Sequence, residues 1–411
     1  MIEVIAEIIR GPVFIAGETL HCQIQFINKS TNEQNSTNHN GNFEKISWAS
    51  VQLHCQRYVN DQKVNLQQQQ QHHQHQTTNT KSNDSTATNV DVVPLDSTAL
   101  IATKGETGQT VYTSKPCVLF CDLKLHPGET RTFSYHETIS THVPPTFRGN
   151  YVKYSYKLTI GTQRVNCPTT LIRVPFRVLV IPDLDKYIRQ DKAAIASSQT
   201  GIKVDNPFVC SSRTEIDSLT TALDALQILT SRTHQNVYNI SNNRGRVCRL
   251  TLFKSNFKLG EDILGTIDFD NTDIPCIQYT VTLQSEETLN PNYRRKSSLL
   301  SNITSYTKQA EFCLSTLQTH LSLSIPLSCT PTFSMDLVSL RWKLHFEFVT
   351  SKATRSFLPE NSDPSASTTW STPNSIEVES MTWDLPIKIL PTNPYFANNV
   401  AKVSCTTVVT I

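Results

Sequence analysis

Charge is sparse in this sequence: Asp, Glu, Lys and Arg make up 18% of the 411 residues, and the formal net charge is +2. This balance gives no reason to expect nucleic acid or an anionic membrane as a partner of the chain as a whole. Long hydrophobic runs are also missing, since a stretch such as VPFRVLVIP is only about half of a membrane span. The N-terminus, MIEVIAEIIR, carries two glutamates and no cleavage signature, and it predicts a strand instead of a signal peptide. We expect a soluble cytosolic protein.

The motifs of catalytic and metal sites are absent as well. The sequence has no glycine-rich phosphate loop, no HExxH and no nucleophile elbow. Its 11 cysteines include no CxxC or CxxH pair, which is typical of reduced thiols and not of a disulfide framework or a zinc site. We therefore expect no catalytic residue, no cofactor and no metal. Cys22, Cys117 and Cys121 are expected to be small buried thiols. His54 and His345 are expected to face solvent or to be hydrogen-bonded on strands.

An internal repeat organises what is present. Residues 255–271, SNFKLGEDILGTIDFDN, match residues 12–28, PVFIAGETLHCQIQFIN, at the constant spacing that separates Phe14 from Phe257. Both copies predict a turn at Gly-Glu followed by a strand with apolar residues at every second position. Three further matches follow in the same order: Val51–Leu53 with Val281–Leu283, 145–160 with 331–346, and 174–179 with 385–390. The sequence therefore predicts two copies of one all-β domain.

The repeat divides the chain into four parts. A first β-sandwich is predicted over 1–183, a linker over 184–245, a second β-sandwich over 246–391 and an extended tail over 392–411, which could add as a strand to an exposed sheet edge. Polar inserts interrupt this plan. The largest, at about 60–110, contains QQQQQHHQHQ and cannot bury apolar surface, so we expect it to be disordered. Its histidines could bind a metal, but we favour the interpretation that they belong to a low-complexity insertion.

The linker contains one predicted helix, at about 213–230. Ser212 and Glu215 form an S-x-x-E capping box, and apolar residues then recur at helical spacing. These are Ile216, Leu219, Leu223 and Leu226. The stripe could pack on the chain's own sandwich or in a groove of a partner, and the sequence leaves both interpretations open.

A second candidate contact is a basic loop in the second domain. Tyr293, Arg294, Arg295 and Lys296 follow one another there, and they could contact an acidic protein face or anionic lipid, or could simply be solvated. The same loop spells Asn-Pro-Asn-Tyr over residues 290–293, which matches an N-P-x-Y sorting motif but is also typical of a turn.

The repeated motifs and several longer segments resemble known families. Tandem sandwiches that open on F-x-x-G-E and carry P-P-T-F-R-G before a long strand resemble the arrestin fold. The predicted fold is therefore all-β, with two tandem arrestin-like β-sandwiches, a linker with one short helix, and disordered polar inserts. The chain further resembles the Rgp (reduced growth phenotype) family, the smaller subunit of the Ric–Rgp complex, also called the Rab-GEF complex partner protein. The segments that carry this resemblance are MIEVIAEIIRGPVFIAGE, WASVQLHCQ, LFCDLKLHPGE, FRGNYVKYSYKLTIGTQRVN, YNISNNRGRV, SLRWKLHFEFVTS and WDLPIKILPT.

The family resemblance implies a function as well as a fold. It implies a heterodimeric guanine-nucleotide exchange factor for a Golgi Rab GTPase of the Rab-six class, acting in transport from endosomes to the Golgi. The activity belongs to the complex with a large Ric-type subunit, so this chain alone is expected to carry no catalytic residue and not to be an enzyme. The implied partners are that subunit, the Rab and, through the complex, the Golgi membrane, with no nucleic acid; the implied location is cytoplasmic with peripheral recruitment to the Golgi. The alternative is an arrestin-like cargo adaptor that binds sorting peptides without nucleotide exchange.

Overall fold

The described part of the chain is mostly β-strand arranged in several sheets, which confirms the predicted all-β class. The computed structural model describes residues 1–30, 43–66, 108–187, 218–231, 235–295, 300–314, 316–352, 375–399 and 406–411. The chain divides into two compact units. The first comprises Met1–Leu223, Leu289–Leu300 and Asn393–Ile411, and the second Asp224–Thr288 and Ser301–Thr392. Residues 67–107 of the largest predicted insert and the predicted capping box lie outside the described residues. Residues 60–66, which the predicted disordered insert included, instead form an ordered turn in which the N–H of Val64 donates to the carbonyl of Asn60 at 2.9 Å.

The first unit contains a four-stranded and a seven-stranded sheet. Its strands are β1 (Ile2–Ile8), β2 (Val13–Ile15), β3 (Thr19–Asn28), β4 (Glu44–Val59), β5 (Gln109–Thr113), β6 (Cys117–Leu125), β7 (Thr130–Thr138), β8 (Phe147–Arg148), β9 (Val152–Arg164), β10 (Thr170–Leu179) and β21 (Thr406–Thr410). The smaller sheet runs β21-β1-β3-β7. The larger runs β2-β10-β9-β4-β5, with β6 also paired to β4 and β8 to β9. Alternate residues of β1 and β3 are fully buried, as a strand with one core-facing side requires.

The second unit repeats this plan with a four-stranded and a six-stranded sheet. Its strands are β11 (Asn236–Asn242), β12 (Gly245–Leu252), β13 (Asn256–Lys258), β14 (Asp262–Asp268), β15 (Cys276–Leu289), β16 (Ser301–Phe312), β17 (Gln318–Ser324), β18 (Phe333–Ser334), β19 (Val338–Ser351) and β20 (Val378–Leu390). The sheet orders are β11-β12-β14-β17 and β13-β20-β19-β15-β16, with β18 paired to β19. Trp342, Phe346 and Phe348 of β19 are among the largest fully buried side chains of this unit.

The two repeated turns have the same structure. Phe14 pairs with Val178 where β2 runs parallel to β10, and Phe257 pairs with Ile389 where β13 runs parallel to β20. The glycine that follows has a positive φ in both copies, +99° at Gly17 and +82° at Gly260. A β-carbon is unfavourable in this left-handed region, and the repeat therefore has glycine at both positions.

A pair of threonine hydrogen bonds is also repeated between the two units. Thr146 Oγ1 accepts the backbone N–H of Val178 at 2.8 Å, and Thr332 Oγ1 accepts that of Ile389 at 3.1 Å. Each threonine also donates its own N–H to the carbonyl of the same partner, at 2.8 Å in both units. The sequence match between 145–160 and 331–346 thus extends to the structure, because the two threonines have equivalent places and equivalent hydrogen bonds.

The structure differs from the sequence-based division in three places. Residues 236–242, predicted as linker, form β11 and pair with β12 in the second unit. The predicted extended tail contains a short helix, Pro394–Asn398, although its strand β21 adds to the sheet edge at β1 in the way predicted for the tail. Residues 289–300 group with the first unit although β15 and β16 on either side belong mainly to the second. The pairing of β11 and the contacts of residues 289–300 are long-range features that hydrophobic periodicity cannot report, whereas the short helix begins at its Asn393 cap and Pro394.

Candidate functional site

The basic loop begins with an ordered turn. Pro291–Tyr293 forms a single turn of 3-10 helix, and the side-chain oxygen of Asn290 accepts the N–H of Asn292 at 3.1 Å. The N–H of Arg294 closes the turn on the carbonyl of Pro291 at 3.2 Å. The N-P-x-Y sequence is therefore a capped turn. Lys296, the fourth residue of the predicted contact, lies outside the described residues.

The loop is held against the segment that follows β4. The N–H of Asn65 donates to the carbonyl of Tyr293 at 2.8 Å, and the N–H of Arg295 donates to the carbonyl of Lys63 at 3.1 Å. Arg295 Nε also donates to the carbonyl of Val64 at 3.2 Å. Both segments belong to the first unit. The loop is consequently fixed by its main chain, while the side chains of Arg294 and Arg295 remain largely exposed.

The same segment connects this loop to the hairpin between β8 and β9. Lys63 Nζ donates to Asn150 Oδ1 at 2.6 Å and lies over the ring of Tyr151, 5.8 Å from its centre. The N–H of Asn60 donates to the carbonyl of Tyr151 at 2.9 Å. These contacts place the hairpin, with its exposed residues Arg148 and Lys153, in the same region as the basic loop. We call the cations of this region the basic surface: Lys63, Arg148, Lys153, Arg294 and Arg295.

Three members of the basic surface were not found from the sequence. Lys63, Arg148 and Lys153 are far from the loop in the chain, and no local motif marks them. Only the pairing of β4 with β9 and the docking of the loop on residues 63–65 bring the segments together. Over residues 57–66, 145–153 and 289–295, the basic surface contains a single carboxylate, Asp61. The cations are thus concentrated on a chain whose overall charge is nearly balanced.

Two cations of the basic surface are directly opposed. Arg148 of β8 pairs in register with Lys153 of β9, a like-charge arrangement that destabilises an antiparallel pair. The same sheet has another such pair, Lys45 opposite Lys124, but Asp122 lies 2.7 Å from the Lys45 ammonium and offsets the repulsion. In the described part of the chain, neither Arg148 nor Lys153 has a carboxylate within ion-pair distance.

The predicted helix spans Ser218–Leu229, and we name it α1. Leu219 and Leu226 are buried, Leu223 is half-buried, and Ile228 on the other side is 63% exposed. The carbonyl of Leu229 at its end accepts the side-chain amide of Asn256 at 2.9 Å. Two of the three candidate leucines are therefore inside the folded chain. A role of α1 in partner binding stays a prediction.

The thiols and histidines agree with the sequence-based expectations in part. Cys22 is buried, and burial raises the pKa of its thiol to about 12. The expectation of burial was wrong for Cys117 and Cys121, which are exposed because β6 is an edge strand with one side toward solvent. His54 is buried on β4, and His345 Nδ1 is hydrogen-bonded to Asp384 Oδ1 at 2.6 Å. Within the described ranges, no helix combines the length and the apolar character that crossing a bilayer requires.

The sequence of this chain is similar to those of known proteins along its full length. The family model Rgp1 matches residues 104–190 and 185–351. The protein "RAB6A-GEF complex partner protein 2" of Homo sapiens is 40% identical over 420 residues, covering 100% of both chains. The protein of the same name from Bos taurus is 41% identical over 397 residues, covering 94% of this chain and 93% of its own length. Identity at this level over the full length, together with the family match, means that the chain belongs to the Rgp1 family.

Proposed function

We propose that this chain is the non-catalytic subunit of a heterodimeric guanine-nucleotide exchange factor. Its partner is a large Ric-type subunit, and the complex activates a Golgi Rab GTPase of the Rab-six class in retrograde transport from endosomes to the Golgi. The observation that carries the proposal is the 40% identity, over the whole chain, to a protein named as a partner in a RAB6A-GEF complex.

The architecture is compatible with a subunit that acts by binding. The outer positions of the sheets include charged pairs, such as the ion pair of Lys343 with Asp384 at 2.7 Å on the larger sheet of the second unit. Such faces suit association with another protein without reactive chemistry. The buried thiols are poor nucleophiles, since burial raises the pKa of Cys55 and of Cys248 to about 12.

The mechanism of an exchange factor requires no covalent step. A nucleotide held at nanomolar affinity is bound by about 12 kcal/mol, and each ~1.4 kcal/mol removed weakens it tenfold. A factor that binds the nucleotide-free GTPase more tightly than the loaded GTPase must weaken nucleotide binding by the same ratio. In this scheme the present chain contributes by holding the large subunit in an active arrangement.

Two measurements test this division of labour. The tagged full chain is purified from cell extract, and the large subunit is expected to co-purify with it. Release of fluorescent GDP from a Rab-six-class GTPase is then measured with the complex, with each subunit alone, and with an unrelated Rab as the control. We expect fast release only with the complex and the cognate Rab. Fast release by this chain alone would contradict the proposed role.

A further inference from the structure

We propose that the basic surface binds negatively charged phospholipid headgroups and that it is the face which the first unit turns toward an anionic membrane. Lipid binding at this surface deepens the proposed function by naming how the chain meets a membrane. It rests on that function only for the presence of a membrane, because lipid binding can be measured without any GTPase.

Positive charge converges on this surface from separate parts of the chain. Lys63, Arg148, Lys153, Arg294 and Arg295 come from three segments, and the hydrogen bonds of residues 60–65 hold those segments together. Asp61 is the single carboxylate among the described residues of these segments. Clustered Lys and Arg residues of this kind are attracted to the negative potential of an anionic leaflet.

The opposed pair of cations also favours an anionic ligand. Arg148 and Lys153 face each other across β8 and β9 with no described carboxylate to offset them, whereas Lys45 and Lys124 have Asp122 nearby. An external anion would offset this repulsion. The pair therefore indicates a surface at which binding of a negatively charged partner is favourable.

The aromatic rings at this surface favour a lipid over a protein partner. Lys153 lies over the ring of Tyr58, 5.2 Å from its centre, and Lys63 lies over Tyr151, which is 2% exposed. Each of these two ammonium groups therefore makes a cation–π contact with the face of an aromatic ring. Protein interfaces concentrate their binding energy in accessible aromatic and arginine anchors that enter pockets. Two cations that lie over buried or half-buried rings, as Lys63 and Lys153 do, instead suit a planar, charged and fluid surface.

The test is flotation of the full chain, alone and in complex with the large subunit, with phosphatidylcholine vesicles that contain or lack phosphatidylserine. Binding is expected only to the vesicles with phosphatidylserine, and it should weaken as salt is raised. Each cation near such a surface strengthens partition about fivefold. The double variant Arg148→Gln/Lys153→Gln should therefore lose roughly 25-fold in partition, and Arg294→Gln about fivefold.

The matched control is Lys45→Gln/Lys124→Gln, which removes the same charge from the other directly opposed pair of this sheet. Its partition should stay within about twofold. Lys45 lies 13 positions (58 − 45) before Tyr58, the register partner of Lys153, along β4. That is about 40 Å of strand, well beyond the Debye length of ~8–10 Å within which surface charges act together. The thermal midpoint of Arg148→Gln/Lys153→Gln should be unchanged or higher, because the variant removes a repulsion.

Three results would overturn the proposal. The first is no binding of the unaltered chain to phosphatidylserine vesicles, and the second is an equal loss of binding in both double variants. The third is unchanged flotation of Arg148→Gln/Lys153→Gln together with weaker binding of that variant to the purified Rab or to the large subunit, which would make the basic surface a protein contact. The exchange measurement is separate, so either proposal can fail without the other.

Discussion

The side-chain oxygen of Gln309 on β16 accepts a hydrogen bond from the backbone N–H of Ser322 on β17 at 2.9 Å. Its side-chain nitrogen donates to the carbonyl of His320, also at 2.9 Å. The amide of Gln309 therefore pairs with the main chain of β17 as a neighbouring strand would. Because β16 and β17 belong to different sheets of the second unit, this contact joins the two sheets at one side of the sandwich.

Replacing Gln309 with alanine should destabilise the second unit by about 0.5–1.5 kcal/mol, because it removes two hydrogen bonds to β17 that are exposed, so that water can take the place of the lost partner. Urea unfolding of the full chain measures the change. The control is Lys308→Ala, a neighbouring position on the same strand, which should cost less than about 0.5 kcal/mol. Equal effects of the two substitutions would show that the contact does not join the sheets.

Glu18 and Glu261 occupy equivalent positions in the two repeats, so the surroundings of the same carboxylate can be compared within one chain. Glu18 accepts the N–H of Ile15 at 2.7 Å and both terminal nitrogens of Arg10, at 3.0 and 2.8 Å, and it is 2% exposed. Glu261 accepts the N–H of Lys258 at 2.9 Å, but it is more exposed, and the ammonium of Lys254 lies 3.3 Å away. The first turn thus depends on a buried ion pair and the second on a partly solvated one.

Glu18→Gln should therefore cost about 3 kcal/mol, because it leaves a partly buried guanidinium without its counter-charge. Glu261→Gln should cost about 1 kcal/mol or less, since water screens the pair. Thermal unfolding of the two variants under the same conditions gives the ranking. A larger loss for Glu261→Gln would contradict the dependence of the first turn on its buried pair.

The leucines of α1 can be tested for internal packing. Leu226→Ala should destabilise the chain by about 2–4 kcal/mol, because Leu226 is 1% exposed and its truncation leaves a cavity. Ile228→Ala, on the exposed side of the same helix, should change stability by less than about 0.5 kcal/mol. Chemical unfolding measures both. If Leu226→Ala left stability unchanged but weakened binding of the large subunit, α1 would be a docking helix.

Acid should weaken the second unit through Asp384. Its burial acts to raise the carboxyl pKa, but hydrogen bonds from Lys343 and His345 outweigh this and hold the pKa below its usual value. A carboxylate with a lowered folded-state pKa stabilises the fold above its unfolded pKa and loses that contribution as pH falls through the folded pKa. The stability difference between the unaltered chain and Asp384→Asn should accordingly be present near neutral pH and should shrink below about pH 4. A difference that stays constant across this range would exclude the effect.

Local features of the fold were predictable because short-range physics determines them. The Gly-Glu turns at Gly17 and Gly260 were expected from the repeat, since a positive φ requires glycine and the next carboxylate caps the turn. The long strand predicted after P-P-T-F-R-G is β9, Val152–Arg164, whose alternating apolar residues match the period of a pleated strand. The helix over Ser218–Leu229 was likewise expected from its apolar spacing.

The sequence predicted that the tail could add to a sheet edge, but it did not predict which strands pair over long range. In the second unit, β11 fills the sheet edge beside β12 through a short hairpin, whereas in the first unit the corresponding edge beside β1 is filled by β21 from the C-terminal end of the chain. Nothing in the five residues of β21 specifies this partner, because backbone hydrogen bonds are available to any strand. The pairing is decided by which edge the rest of the chain leaves open.

The amino-acid sequence by itself determined the β-class, the duplication and the family, because each of these can be recognised from residue types and their spacing along the chain. The basic surface was decided by the tertiary structure alone. Arg294 could be noticed in its loop, but Arg148 and Lys153 join it only because β9 lies beside β4 and the loop bonds to residues 63–65. Charge acts through space and not along the chain, so its concentration at one place appears only when the folded arrangement is known.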